Sequence, residues 1–219
     1  MEENIVQESP ESSKWFDRNF CLKAIRQNPK NIRYVKNKSQ QIYIEALEQN
    51  GLLLRQVPED IRSNRIYLTA VSQNGLALQY IEEEQQTQQI VLKAISQNGL
   101  AFKYIAIKTE DLALTAVKRD GLSLEHIQNQ TEKISLAACK QNGLALQFVN
   151  FQTEQIALTA CRNNGMALEY VQNQTKEIFL EALLQNKEAF KFVDKSLFID
   201  TGSGTLEKTP EKGQDRKNA

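Results

Sequence analysis

The chain has 219 residues, 41% of them hydrophobic, which is enough for a sizeable core in one or two domains. Lys plus Arg and Asp plus Glu both number 27, so no global charge draws the protein towards nucleic acid or an anionic membrane. No apolar run approaches bilayer length or follows a basic start, so we expect a soluble, cytoplasmic protein without a membrane span or a secretory signal.

The sequence divides into three parts. Residues 1–16 form an N-terminal segment, and we expect the part around Trp15 and Phe16 to pack over the first repeat unit. Residues 17–199 carry a repeated pattern and are predicted to form one helical repeat domain. Residues 200–219 lack apolar side chains to bury, so we predict a disordered polar tail.

The repeated pattern recurs every 22 or 24 residues. Each copy has an Asn or Asp before a turn and an alanine four residues upstream of it, without exception. Self-similarity at a short fixed period indicates units that bury their apolar faces by stacking on their neighbours. The eight anchoring residues are Asn28, Asn50, Asn74, Asn98, Asp120, Asn142, Asn164 and Asn186.

The first half of each copy is predicted to be an amphipathic α-helix of about three turns. In the copy that starts at Thr153, successive residues of a helix would lie at roughly 100° from each other around its axis. The apolar or small residues then cover one continuous arc of about 200°, and polar residues fill the remainder. A strand would mix polar and apolar residues on one face. Each helix is preceded by a side chain that can cap its N-terminus: Asp17, Ser39, Ser63, Thr87, Thr109, Thr131, Thr153 and Thr175.

The second half of each copy begins with glycine in six cases, and we expect these glycines to end the first helix in the left-handed conformation. The apolar spacing then restarts, as in the segment 76–81, and predicts a second, shorter helix. Pro29 replaces the first glycine and suits the first position of that helix. Two loops, before Ser63 and Thr87, are two residues longer; they either form a binding lip or are tolerated insertions.

These elements predict an all-α fold, an α-solenoid of about eight tandem 22–24-residue helix-turn-helix repeats. Alanine at one fixed position of every copy would let neighbouring helices approach closely. Stacking would also let the asparagines form a ladder of hydrogen bonds to neighbouring backbones. That ladder would belong to the scaffold.

Few residues are candidates for chemistry. His126 is the only histidine, and it occupies a position held by Tyr or Phe in other copies, so a packing role is favoured over a catalytic base acting with Glu125. Cys139 and Cys161 share one apolar position and are expected to be buried small hydrophobes, and Cys21 has no partner. An odd, sparse cysteine set is compatible with a reducing compartment. We predict no catalytic residue, metal ligand or cofactor.

The exposed face is where we place recognition. One row on the second helices is mixed in sign, and one row on the first helices is weakly basic. A protein or peptide partner suits such a varied surface, whereas a nucleic-acid groove, the alternative, should be consistently basic with exposed aromatics. The candidate binding residues are Arg55, Gln79, Lys103, Glu125, Gln147 and Glu169 in the first row, and Lys118, Lys140 and Arg162 in the second.

The units 94–105 and 141–149 resemble a tandem-repeat family of unknown function, met in large proteins of intracellular bacteria such as Legionella and chlamydia-like organisms and in some protists. The similarity covers roughly residues 17–193. The family has no assigned active site, so no functional residue is implied. The resemblance implies a repeat scaffold and, in such bacteria, an effector translocated into a host cell.

Overall fold

A computed structural model of the chain describes residues 11–37 and 39–198. Within these ranges the chain forms eight α-helices of ten residues, each followed by a six-residue 3₁₀ helix, and no β-strand. The predicted all-α repeat solenoid is therefore confirmed. The predicted disordered tail, residues 200–219, lies outside the described residues.

Each unit of the array contains one α-helix and the 3₁₀ helix after it, and the units are numbered one to eight with their α-helices. The α-helices are α1 Arg18–Gln27, α2 Gln40–Gln49, α3 Asn64–Gln73, α4 Gln88–Gln97, α5 Glu110–Arg119, α6 Glu132–Gln141, α7 Glu154–Asn163 and α8 Lys176–Gln185. The 3₁₀ helices of units one to eight are Pro29–Tyr34, Gly51–Gln56, Gly75–Tyr80, Gly99–Tyr104, Gly121–His126, Gly143–Phe148, Gly165–Tyr170 and Lys187–Phe192. Further 3₁₀ segments span Ser13–Phe16, Glu59–Ile61, Glu83–Gln85 and Lys195–Phe198.

The α-helices begin where the cap residues predict. All eight occupy the N-cap position, and seven accept a hydrogen bond from the backbone N–H three residues further on. Ser39 is the exception, because its side chain makes no such bond. The buried face follows the predicted apolar arc; in α7 it consists of Ile156, Ala157, Ala160 and Cys161.

The second helix of each unit is a 3₁₀ helix, a type that the sequence pattern did not distinguish from a short α-helix. In unit three the Ala77 N–H donates to the Asn74 carbonyl at 2.9 Å and the Ile81 N–H donates to the Leu78 carbonyl at 3.1 Å, which is the i to i+3 pattern of a 3₁₀ helix. Asn74 joins the two helices: its N–H donates to the Ala70 carbonyl, and its side chain accepts from the Leu76 N–H. One acceptor oxygen is enough for the second bond, so Asp120 serves equally well in unit five.

The prediction that the glycines adopt the left-handed conformation is wrong. None of the six glycines in the described ranges has a positive φ of that kind. Glycine is required instead by close approach to the next unit: a Cβ on Gly99 would lie 2.6 Å from the Ala116 carbonyl oxygen and 2.7 Å from the Ser123 hydroxyl oxygen. The glycine after each turn and the alanine before the turn of the next unit are therefore the two sides of one contact between neighbouring units.

The units stack into two layers around one continuous core. Each α-helix packs on the next α-helix, each 3₁₀ helix packs on the next 3₁₀ helix, and the 3₁₀ helix of one unit also contacts the following α-helix. The alanines before the turn are completely buried in all eight units, as their close-approach role predicts. At the N-terminal end Trp15 is buried against Phe20 and Tyr34, so the segment packs over the first unit as predicted, with Phe16 itself 60% exposed.

Candidate functional site

Neighbouring units are joined at their turns by a column of side-chain amides, which we call the turn ladder: Gln49, Gln73, Gln97, Gln141, Asn163 and Gln185. In a complete rung the amide reaches back to the preceding unit. The Gln73 oxygen accepts from the Gly51 N–H at 2.6 Å, and the Gln73 nitrogen donates to the Gln49 carbonyl at 3.1 Å. The ladder therefore consists of five glutamines and Asn163, which precede the turn residues. The prediction that the turn asparagines form the ladder is wrong, because each turn residue bonds within its own unit, as Asn74 does.

The turn ladder is incomplete in unit five, where Arg119 takes the glutamine position. The Arg119 guanidinium still donates to the Gln97 carbonyl at 3.3 Å. It has no acceptor atom, however, so it cannot bind the Gly99 N–H. No other partner for that N–H is found in the described part of the chain.

A second column, which we call the loop ladder, consists of Gln86, Gln130, Gln152 and Gln174, each one residue before a helix cap. In unit six the Gln130 nitrogen donates to the Phe148 carbonyl at 2.8 Å, and the Gln130 oxygen accepts from the Asn150 N–H at 3.0 Å. The same nitrogen also donates to the Ile127 carbonyl of unit five at 3.1 Å. One amide thus holds the ends of two successive 3₁₀ helices together.

The loop ladder is interrupted at the same unit as the turn ladder, because Lys108 stands where glutamine stands in its neighbours. Its ammonium lies 5.9 Å from the centre of the Phe102 ring. The His126 carbonyl and the Gln128 N–H, which a glutamine would bind, have no protein partner within residues 11–37 and 39–198. Unit five therefore lacks both of the amides that its neighbours, units four and six, carry.

The segment 105–109, which connects units four and five, is flanked by two cavities. The larger cavity has a volume of about 490 Å³. Its apolar lining includes Val91, Leu92, Ile105, Ile107 and Leu112, with Ile107 78% exposed and Leu92 38% exposed.

The charged residues that line the larger cavity are Glu83 and Asp111. Glu83 and Gln86 belong to the second of the two longer loops, so that loop does contribute to the wall of a cavity. The first longer loop contributes no lining residue to it. The rim is therefore acidic around an apolar wall.

The smaller cavity, of about 300 Å³, lies at the interrupted rung of the loop ladder. Lys108, Phe102, His126 and Gln128 are among its lining residues, together with Glu110. The Glu110 carboxylate accepts a hydrogen bond from the Thr131 hydroxyl at 3.2 Å, and no hydrogen bond or ion pair joins it to His126 in the described ranges. His126 is half-buried and occupies the position of the aromatic residues in other units.

The predicted surface rows are exposed, and none of their residues lines either of the two cavities at the segment 105–109. All nine candidate binding residues are exposed: Arg55, Gln79, Lys103, Glu125, Gln147, Glu169, Lys118, Lys140 and Arg162. Arg162 forms ion pairs with Glu181 at 2.9 Å and Glu177 at 3.6 Å, and its guanidinium lowers the pKa of the Glu181 carboxyl. A role of these rows in binding stays a prediction.

The three cysteines are completely buried and unpaired. Burial raises the pKa of the Cys139 thiol to about 12, with a further contribution from Cys161, and burial raises the pKa of the Cys161 thiol to about 11. Burial and the Asp17 carboxylate raise the pKa of the Cys21 thiol to about 11. Such thiols stay protonated near neutral pH. Among the described residues, no group of His, Cys, Asp and Glu side chains comes together as a metal site.

Stacked ten-residue α-helices alternating with 3₁₀ helices, joined by amide ladders, define this chain as an α-solenoid of tandem short repeats. The chain belongs to the family described as Domain of unknown function (DUF4116), whose profile matches residues 39–84, 65–108, 131–174 and 153–198. These ranges leave out residues 109–130, which contain the atypical unit five. A search of curated proteins and a search of solved structures each gave no match. Each helix in residues 11–37 and 39–198 falls short of what crossing a bilayer requires.

Proposed function

We propose that this chain is a non-enzymatic protein-interaction scaffold that docks a peptide at the junction of units four and five. The observation that carries the proposal is the larger cavity, about 490 Å³ in volume, at the junction of units four and five, where the sequence of unit five departs from the repeat. Cavities of this size hold one or two side chains of a ligand. Ile107 and Leu92 are apolar and exposed beside this cavity. Covering them with a partner removes their apolar surface from water, which favours binding.

The charges of the rim indicate the chemistry of the partner. Glu83 and Asp111 both carry negative charge, and the remaining lining residues are apolar or neutral. A peptide with an aliphatic or aromatic side chain next to Lys or Arg would fill the apolar wall and satisfy the rim. A phosphate backbone would meet repulsion at the same place, which favours a protein over the nucleic acid considered as the alternative.

The absence of catalytic activity is part of the proposal. The thiols are buried and protonated, so they are poor nucleophiles. The Glu110 carboxylate near His126 is engaged by Thr131. These observations support binding over turnover.

The proposal is tested by selecting short peptides from a displayed random library on the full chain and measuring their affinities by fluorescence polarisation. We expect the selected peptides to carry an apolar residue flanked by Lys or Arg. The double variant Leu92→Ser, Ile107→Ser removes apolar surface without changing the charge and should weaken their binding by about tenfold or more, which is ~1.4 kcal/mol. Selected peptides rich in Asp or Glu, or equal affinity for the double variant, would refute the proposal.

Phe151→Ser is the matched control. Phe151 is 85% exposed and occupies in unit six the loop position that Ile107 occupies in unit four, but it does not line the cavity. Its replacement should leave the affinity unchanged. Titration of the same proteins with single-stranded RNA tests nucleic acid as the alternative partner. Salt-dependent RNA binding of wild type would favour that alternative.

The proposed setting is the cytoplasm, either of the producing cell or of a host cell after translocation. Three unpaired cysteines suit a reducing compartment. Translocation is implied by the family resemblance alone. A fusion of the chain to a host-activated reporter enzyme, expressed in a bacterium with and without its secretion machine, would distinguish the two settings.

A further inference from the structure

We infer that the interrupted rung of the loop ladder is a binding site for a carboxamide group, supplied by a glutamine or asparagine side chain of the docked peptide. The inference rests on the proposed function, because the carboxamide belongs to that peptide. It adds a second specificity position beside the apolar cavity.

The other rungs show which group the backbone is arranged to bind. At Gln86 the side-chain nitrogen donates to the Tyr104 carbonyl at 3.0 Å, and the oxygen accepts from the Ala106 N–H at 3.0 Å. The rungs of units six, seven and eight repeat this pair with N···O distances of 2.8–3.0 Å. A primary carboxamide presents one acceptor and one donor at the required separation, which a carboxylate, an ammonium or a hydroxyl does not.

Unit five has the backbone carbonyl and N–H of this arrangement but lacks the glutamine side chain that would bind them. The His126 carbonyl and the Gln128 N–H follow their 3₁₀ helix as Tyr104 and Ala106 follow theirs. Lys108 has three donors and no acceptor, so it cannot reproduce the pair. Both backbone groups remain without a protein partner among the described residues.

The smaller cavity provides room for the incoming group at this rung. Its volume of about 300 Å³ is at the lower end for ligand sites, and its lining residues include the aromatic Phe102 and His126 together with the polar Gln128 and Asn129. Glutamine in place of Lys108 would occupy the same position from within the chain. Units four and six have such an internal glutamine, so they offer no site of this kind.

The experiment follows backbone amide shifts of the full ¹⁵N-labelled chain during titration with N-acetyl-glutamine N-methylamide. The matched probe is N-acetyl-methionine N-methylamide, which has a side chain of similar length without a carboxamide. We expect a saturable shift of the Gln128 N–H with the glutamine probe. The methionine probe should bind about tenfold more weakly, since it lacks both hydrogen bonds.

Two variants of the chain test the inference in opposite directions, one by filling the site and one by creating a second site. Lys108→Gln should abolish the response at Gln128 because the internal amide fills the rung. Gln130→Lys should create a new response at the Asn150 N–H, whose ladder partner has been removed. Equal shifts with both probes, no saturable shift at Gln128, or an unchanged response in Lys108→Gln would overturn the inference.

The Leu92→Ser, Ile107→Ser variant separates this inference from the proposed function. It should keep the Gln128 response to the glutamine probe, because neither residue lines the smaller cavity. Peptides selected on wild type should contain Gln or Asn in addition to the apolar and basic residues. Selected peptides that bind the larger cavity without any carboxamide preference would overturn the carboxamide site and leave the docking proposal standing.

Discussion

Restoring the turn ladder in unit five should stabilise the protein. In the variant Arg119→Gln, the new side-chain oxygen can accept from the Gly99 N–H, as Gln97 does for the Gly75 N–H at 2.6 Å. Its nitrogen can donate to the Gln97 carbonyl, which Arg119 already binds at 3.3 Å. The substitution therefore adds one hydrogen bond and loses none.

The size of the effect follows from the burial of Gly99. Gly99 is buried, and a buried N–H without a partner costs roughly 1–3 kcal/mol, whereas a bond that replaces water contributes roughly 0.5–1.5 kcal/mol. We expect Arg119→Gln to increase the free energy of unfolding by about 1–2 kcal/mol. With a urea m-value of about 2 kcal/mol/M, the midpoint should rise by about 0.5–1 M.

Equilibrium urea unfolding followed by circular dichroism measures the gain, and hydrogen exchange of the Gly99 amide measures it locally, since repeat arrays do not always unfold in one step. Lys118→Gln is the control, because it removes the same charge from the neighbouring exposed position of α5 outside the ladder. Equal stability of the two variants, or unchanged exchange at Gly99, would refute the ladder argument. The reverse substitution Gln141→Arg should destabilise by a similar amount.

The remaining predictions concern glycine and the thiols. Gly121→Ala should destabilise by about 2 kcal/mol in urea unfolding, because its Cβ would lie 2.5 Å from the Ala138 carbonyl oxygen; a loss near zero would contradict the close-approach explanation. The raised thiol pKa values predict that stability is full below pH ~8.5 and falls as the pH rises towards 11–12, by up to ~1.4 kcal/mol per pH unit for each thiol. Replacing Cys139 and Cys161 by alanine should flatten this fall in unfolding free energy against pH, and an unchanged slope would count against buried, protonated thiols.

The helix positions could be predicted from the sequence because they depend on local interactions. A cap such as Thr153 and the apolar spacing behind it act within a single helix, so one unit is enough to recognise them. The helix type of the second half could not be predicted, since six residues fit either helix. The helix type becomes visible only in the backbone hydrogen bonds, such as the one from the Ala77 N–H to the Asn74 carbonyl.

The glycine prediction failed for a physical reason. Glycine after a helix is commonly left-handed, but here the preceding Asn74 adopts an extended conformation, with φ −147°, and starts a new helix at once. The requirement on glycine comes from the next unit, 19 residues further on at Ala94 for Gly75. Contacts between units are not visible in a pattern that is aligned within units.

The candidate site could not be recognised from the apolar repeat pattern, because its signal is the loss of glutamine at two polar positions of one unit. The glutamine positions lie outside the apolar pattern that defines the repeat, so their replacement by Lys108 and Arg119 in unit five has no effect on that pattern. Aligning the polar positions as carefully as the apolar ones would have shown both substitutions in the same unit. The cavities themselves depend on how the segment 105–109 packs, which the sequence alone does not reveal.

The turn ladder also bears on the chemical lifetime of the protein. Asn-Gly pairs deamidate when the glycine nitrogen attacks the asparagine side chain, and this chain has five of them. In four pairs the glycine N–H is held by an amide of the next unit, which keeps that nitrogen from reacting. Asn98-Gly99 lacks this restraint, so deamidation of the folded protein should begin there. This pair belongs to unit four, and we place recognition at the junction of unit four with unit five.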